Sequence, residues 1–334
     1  MKDIARDLGV SVVTVSKVMR NHEDIGSETR ERVLKRMKEL NYQPNLAARA
    51  LVTGRSSMMG LIVPDLVHPF FSQVAKGVSH VLRKKGYSLI ISSSEEDREL
   101  EKQEIEQMLA RGLDALLIAS AQWTVESFRR IEAQGKPYVL IDRKFLGLAS
   151  SFVGNDDRLI GGIATEHLIE NGCRRIAYIG GKDVSPAVER LEGHRNVLAK
   201  HRRTVPNEYV ICRSHGDDSG DLTGYQAMKD LLRLKQPPDG VFCYNDPTAM
   251  GVMKAILEAG LRIPDDIAIV GCGNVHYASL LRVPLSSVDQ ESESIGERAG
   301  KLALKLIESK NSLRPQTVLL PPKLIARASS LRNR

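Results

Sequence analysis

Four cysteines in 334 residues, none in a CxxC pair, are too few and too scattered for a disulfide framework or a zinc ribbon. Cys173, Cys212, Cys243 and Cys272 read instead as buried free thiols of a reducing compartment. Aromatic residues make up only 4% of the chain, so its cores must be built from Leu, Ile, Val and Ala. No stretch approaches the ~20 apolar residues that a bilayer-spanning helix needs. Asp3, Arg6 and Asp7 break up the apolar start of a secretory leader, which points to the cytoplasm and away from the membrane. GxSxG, P-loop, HExxH and strand-following GxGxxG patterns are all missing, so nothing indicates an enzyme, a cofactor or a metal. His68, His167, His194 and His276 stand isolated and read as surface or capping residues rather than a catalytic set.

What is present is ordinary globular composition, 42% apolar and 27% charged, in a chain long enough for two or three cores. Lysine and arginine number 48 against 41 acids. Residues 1–57 hold eleven of those bases against seven acids, an excess of four out of the net seven. Such a concentration suits a module that meets a polyanion; a solvated helical surface fits it as well.

Residues 1–46 read as three short helices. Asp3–Leu8 places Ile4, Ala5 and Leu8 on one face, Gly9 supplies a tight turn, and Ser11 caps a helix from Val12 to about Met19. A third helix follows Ser27, with Arg30 where a capping box wants an acid, and with Val33, Met37 and Leu40 as its stripe. Residues 47–57 read as a hinge: a short helix-forming stretch up to Leu51, then a polar linker.

From Met58 the texture changes to apolar runs of strand length alternating with amphipathic helices. The strands are expected at Gly60–Pro64, Ser88–Ile91, Ala115–Ala119, Tyr138–Ile141, Ile176–Ile179, Val241–Cys243 and Ile267–Val270. Apolar strands alternating with helices imply parallel sheets covered on both faces, and their number implies two doubly wound lobes with a ligand cleft at the strand carboxyl ends.

Residues 9–18, Gly-Val-Ser-Val-Val-Thr-Val-Ser-Lys-Val, carry the sharpest signal. They combine a turn glycine, an N-cap, locking apolar residues and short side chains on the presented face, as a helix-turn-helix requires. A purely structural helical hairpin would satisfy the same pattern.

Together with Asn41-Tyr42-Gln43-Pro44-Asn45 and the Ala47–Leu51 segment, this stretch resembles the lac-repressor/galactose-repressor family of bacterial transcription regulators. Ile141-Asp142-Arg143, Arg190-Leu191-Glu192-Gly193, Asn245–Gly251 and Ile325-Ala326-Arg327 fall in that family's order, so the resemblance covers nearly the whole chain. It implies an α-helical helix-turn-helix headpiece (1–46) and a hinge (47–57). It also implies a two-lobed α/β sensor like the periplasmic binding proteins, with lobes of 58–156 plus 290–321 and 157–289 plus 322–330. Val12, Val13 and Lys17 would read bases in the major groove, Lys17 by donating to guanine. Ser11, Thr14, Ser16 and Asn21 would bond phosphates, and Leu51 would wedge into the minor groove, where composition alone allows a plain packing residue. The implied partners are operator DNA, a second copy bound through the sensor lobes, and a small-molecule effector.

The same resemblance places that effector against Phe70, Phe71, Asp142, Arg190 and Asn245, with Asp246 capping the following helix. Without it, the phenylalanines would be core, Arg190 a solvated charge, and Asp142 and Asp246 structural caps or ion pairs. Sugar-responsive relatives carry an aspartate where this chain has Gly273, and Asn274 replaces it only if the loop shifts. A solute-binding protein and an α/β enzyme are the rival readings; the first lacks a leader and the second lacks a catalytic motif.

Overall fold

The computed structural model describes residues 1–19, 22–42, 50, 53–122, 124–145, 147–181, 184–213, 220–309 and 314–332, in two units, Met1–Ser56 and Ser57–Arg334.

In the first unit, α1 (Lys2–Leu8), α2 (Val12–Met19) and α3 (Ser27–Glu39) enclose Ile4, Ala5, Val15, Val18 and Val33. Gly9 turns the chain at φ 65°, a left-handed value that suits glycine, and Val10 N–H returns to Ala5 O at 3.0 Å, closing α1. Arg36 of α3 donates to Asp7 of α1 at 2.6 Å. The third helix begins at Ser27 itself, after Gly26 and without a side-chain cap. Of its expected stripe only Val33 is fully buried, because Leu40 falls beyond the helix end.

In the second unit, β1 (Met58–Val63), β2 (Ser88–Ser93), β3 (Ala115–Ile118), β4 (Tyr138–Ile141) and β5 (Ser151–Asn155) alternate with α4 (Pro69–Lys84), α5 (Arg98–Ala110) and α6 (Glu126–Ala133). Then α7 (Asp157–Glu170), α8 (Ser185–Lys200), α9 (Asp221–Leu232) and α10 (Asp246–Glu258) alternate with β6 (Ile176–Gly181), β7 (Val210–Arg213), β8 (Gly240–Cys243), β9 (Ala268–Cys272) and β10 (Ser286–Asp289). The chain returns through α11 (Ser292–Glu308), β11 (Thr317–Leu320) and β12 (Lys323–Ile325). The sheet orders are β11-β5-β4-β3-β1-β2 and β12-β10-β9-β8-β6-β7. Every pair is parallel except β10 with β12. Each sheet buries an aliphatic core on both faces, the arrangement that apolar strands demand. The chain passes between lobes after β5, after β10 and between β11 and β12.

β5, β7, β10, β11 and β12 go beyond the strands expected from apolar runs. β10 explains why such strands are hard to read. Its Ser286 and Ser287 are fully buried but fully bonded: Ser286 Oγ to Arg327 O at 2.8 Å, and Ser287 Oγ to the Asp246 carboxylate at 2.6 Å. A buried hydroxyl whose partners come from elsewhere in the fold has no apolar signature. The thiols of Cys173, Cys243 and Cys272 are buried, whereas Cys212 is exposed. No described helix is long and apolar enough to cross a membrane.

Candidate functional site

In the first unit, Ser11 caps α2: its hydroxyl accepts from Thr14 N–H at 3.0 Å and lies 2.9 Å from the Thr14 hydroxyl. The helix turns Val15 and Val18 inward and leaves Val12 and Val13 39% and 62% exposed. The two adjacent valines form an apolar spot on the presented face of α2. Lys17, in the last turn, is ion-paired with Asp24. Asn21 and Leu51 lie outside the described residues.

In the second unit, a cleft of about 350 Å³ opens between the lobes, lined by Phe70, Phe71, Asp142, Arg190 and Asn245 together with His68, Glu96, Arg143, Tyr244 and Gln290. α4 starts here because His68 is its N-cap, with Nδ1 accepting from Phe70 N–H at 3.3 Å, and Pro69 suits the first helical position. That start sets Phe70 and Phe71 edge to face, 5.0 Å between ring centroids, at the cleft wall. Asp142 follows the end of β4 in a left-handed conformation, φ 62°. Burial raises its pKa, against the opposing charges of Arg190 and Arg143.

Arg190 is 3% exposed, not a solvated charge. Its Nε donates to Asp157 at 2.8 Å, its Nη1 to Tyr244 O at 2.6 Å, and its guanidinium lies 5.5 Å from the Tyr244 ring centre. Burial raises the pKa of the Asp157 carboxyl, against the pull of Arg190. Arg143 is likewise buried and held by both carboxylate oxygens of Glu96, at 2.5 and 2.8 Å. Asn245 caps α10, its Oδ1 accepting from Thr248 N–H at 2.8 Å, while its Nδ2 lies 3.1 Å from His68 Nε2 of the other lobe. The cleft thus joins aromatic faces, two positioned arginines and an excess of acids, since Asp65, Glu95, Glu96 and Asp142 all line it.

Three expectations are corrected. Asp246 does not cap α10; Asn245 does, and Asp246 instead accepts from Val275 N–H at 2.9 Å and from Ser287. Asn274 is not among the lining residues of the cleft; its side chain donates to Asp289 at 2.9 Å and accepts from Arg327 at 2.7 Å. His194 and His167 are buried, hydrogen-bonded to Thr165 and Ser330, rather than on the surface. The missing carboxylate at Gly273 also has a backbone reason. Gly273 sits at φ 120°, where any residue with a side chain is strained, so an aspartate there would need a different loop path. Arg143, Tyr244 and Gln290 were missed as lining residues, although the first two directly adjoin Asp142 and Asn245 in sequence.

Residues 1–45 match the family described as bacterial regulatory proteins, lacI family, and residues 165–330 match a periplasmic binding protein-like domain. The ribose operon repressor of Halalkalibacterium halodurans is 32% identical over 331 residues, covering 99% of this chain and 96% of that protein. The HTH-type transcriptional repressor PurR of Mannheimia succiniciproducens is 29% identical over 331 residues, covering 98% of each. The lac repressor dimer bound to operator and the anti-inducer ONPF has a TM-score of 0.87 at 25% identity, covering 99% of this chain and 98% of that one. The chain belongs to the lacI family of bacterial regulatory proteins, which are transcription regulators and not enzymes.

Proposed function

We propose that the protein is a repressor that binds a near-palindromic operator as a homodimer and is switched by a neutral, polyhydroxylated small molecule held between its sensor lobes. The observation that carries the effector reading is the cleft itself. Phe70, Phe71 and Tyr244 offer ring faces, while Asp142, Arg190 and Asn245 converge as acceptor and donor groups. Both arginines are already paired with carboxylates, and the remaining acids leave the cleft with negative charge in excess. That balance favours hydroxyls over phosphate or carboxylate, which makes sugars and nucleosides the ligand class. The ribose operon repressor among its relatives puts pentoses first in that class.

For the DNA side, the exposed Val12 and Val13 suit thymine methyl groups and Lys17 suits guanine O6 and N7. Ser11, Thr14 and Ser16 stand beside them for phosphate contacts, and the proposed roles of Asn21 and Leu51 complete the set. One headpiece reads a half-site, so discrimination needs a pair of them. An effector that favours one lobe arrangement would change how the two hinges meet DNA, coupling the sites.

The test is a thermal-shift series with pentoses, hexoses, nucleosides and sugar phosphates on the wild type, Arg190→Ala and Asp142→Asn. Operator binding is then followed by fluorescence anisotropy with and without any compound that shifts. We expect a neutral pentose or nucleoside to stabilise the wild type, to shift both variants far less, and to change operator affinity at least tenfold. Stabilisation by sugar phosphates alone, or equal shifts in all three proteins, would refute the cleft assignment.

A further inference from the structure

The turn between β2 and α5 carries one acid of the cleft wall into place against its backbone preference. Glu95 and Glu96 follow one another at φ 49° and 56°, the left-handed region that residues with side chains rarely adopt. The turn is pinned on both sides. Ser94 N–H donates to Val63 O at 2.9 Å and Glu96 N–H to Pro64 O at 3.1 Å, while Asp97 caps α5 by accepting from Glu99 N–H at 2.7 Å. Its outcome is the position of the Glu96 carboxylate, whose two oxygens take both terminal nitrogens of Arg143 at 2.5 and 2.8 Å. The Arg143 side chain is 7% exposed, and its Nη1 also donates to Ser120 O at 3.2 Å. The two arginine counter-ions differ in where they stand. Asp157 is buried behind Arg190 and does not line the cleft, whereas Glu96 does, with its side chain 34% exposed. Asp142, next to Arg143 in sequence, is a poorer counter-ion, because burial disfavours its charged form.

We propose that Glu96 is the specificity-determining residue that bars anions from the cleft, by holding on Arg143 the place that a ligand phosphate or carboxylate would take. The inference rests on the reading of the cleft as the effector site, and it names the residue behind the preference for neutral ligands. A guanidinium engaged at both terminal nitrogens by a carboxylate of its own chain presents no open fork to a second anion. An anionic ligand would have to displace Glu96 and then lie beside it, like charge against like charge. A hydroxyl meets no such conflict. An ionised carboxylate has about four acceptor sites, so a ligand O–H can donate to Glu96 while the pair with Arg143 stays intact. Without Glu96, a buried guanidinium loses its counter-charge, and the cleft gains a place for an anion.

The full-length protein is tested as wild type, Glu96→Gly and Glu96→Gln, each variant alone and combined with Arg143→Met. Inorganic phosphate is titrated into each by calorimetry at constant ionic strength. Glu96→Gly is expected to bind phosphate at least about tenfold more tightly than the wild type, the worth of a charge-assisted hydrogen bond. Glu96→Gln keeps a neutral acceptor on Arg143, so its gain is expected in the same direction and smaller. Adding Arg143→Met is expected to return both to the wild-type affinity. Equal phosphate affinity in the wild type and the single variants, or binding by none of them, overturns the proposal. A gain that persists without Arg143 overturns it too, because the anion would then sit elsewhere. Circular dichroism melts identify a variant that does not fold; should Glu96→Gly be that variant, the same comparison is decided by Glu96→Gln. The thermal-shift series with neutral sugars on the wild type tests the effector class, and phosphate on the variants tests Glu96, so each reading can fail alone.

Discussion

Asp246 shows at the residue scale how a carboxylate can serve the scaffold beside a ligand cleft. Its oxygens are taken by Ser287 Oγ at 2.6 Å and Val275 N–H at 2.9 Å, which tie the start of α10 to β10 and to the segment after β9. Burial pushes its pKa up to about 6, more than those hydrogen bonds pull it down. The native state therefore holds a proton that the unfolded chain releases near pH 4. The resulting stability is fully present below pH 4 and is lost as pH rises through 6. Asp246→Asn should remove this dependence. Urea unfolding at pH 4, 5 and 7 should show the variant gaining on the wild type by about 2–3 kcal/mol across that range. A gap that stays constant with pH would show that Asp246 does not carry this proton. The Asp142-Arg143, Arg190 and Asn245 positions stood out in the sequence because motifs flank them. The bonding of Asp246 and Asn274 did not, because their partners lie 15 to 53 residues away.

At the scale of elements, helices pack in pairs that approach at glycine. A methyl group at Gly296 of α11 would sit 2.1 Å from the carbonyl oxygen of Val74, and one at Gly77 of α4 would meet Glu293 O at 2.1 Å. The two backbones touch because neither residue has a side chain at the crossing. Gly162 of α7 differs, since the nearest neighbour of an added methyl is the flexible tip of Val197 at 3.5 Å, an ordinary contact. Gly296→Ala should therefore cost about 1–3 kcal/mol through forced separation of the helices. Gly162→Ala should stabilise by up to about 1 kcal/mol through helix propensity alone. Paired chemical denaturation curves decide it, and two changes of the same sign would contradict the packing argument. Most of the elements themselves were readable. Apolar runs marked β1, β2, β3, β4, β6, β8 and β9, and periodicity marked the helices. β5, β7, β10, β11 and β12 were not readable, because short or serine-bearing strands are stabilised by the sheet they join and not by their own pattern.

At the scale of the whole molecule, the division at Ser56–Ser57 separates a small basic unit from a larger unit that contains both sheets and the whole cleft. A chain of residues 57–334 should fold alone and respond to effector as the full protein does. Saturation at a hundredfold over Kd is worth about 2.7 kcal/mol in either form. The truncated chain should bind no operator duplex. Thermal shift and anisotropy on the two chains measure both halves of this; a truncated chain that folds but ignores the effector would mean that the headpiece completes the site.

The sequence by itself determined that there would be a helix-turn-helix followed by alternating strands and helices, because cap chemistry and hydrophobic period act within a few residues. The family resemblance it carries placed Phe70, Phe71, Asp142 and Asn245 at strand ends and helix starts, and Arg190 on a helix face. Only the tertiary structure decided that Arg190 is locked to Asp157, that Asn245 meets His68 across the lobes, and that Asn274 serves Arg327 instead of the cleft. Those outcomes depend on which distant groups are carried within about 3 Å in a water-poor interior, where a buried polar group must find a partner. No local pattern along the chain encodes that encounter.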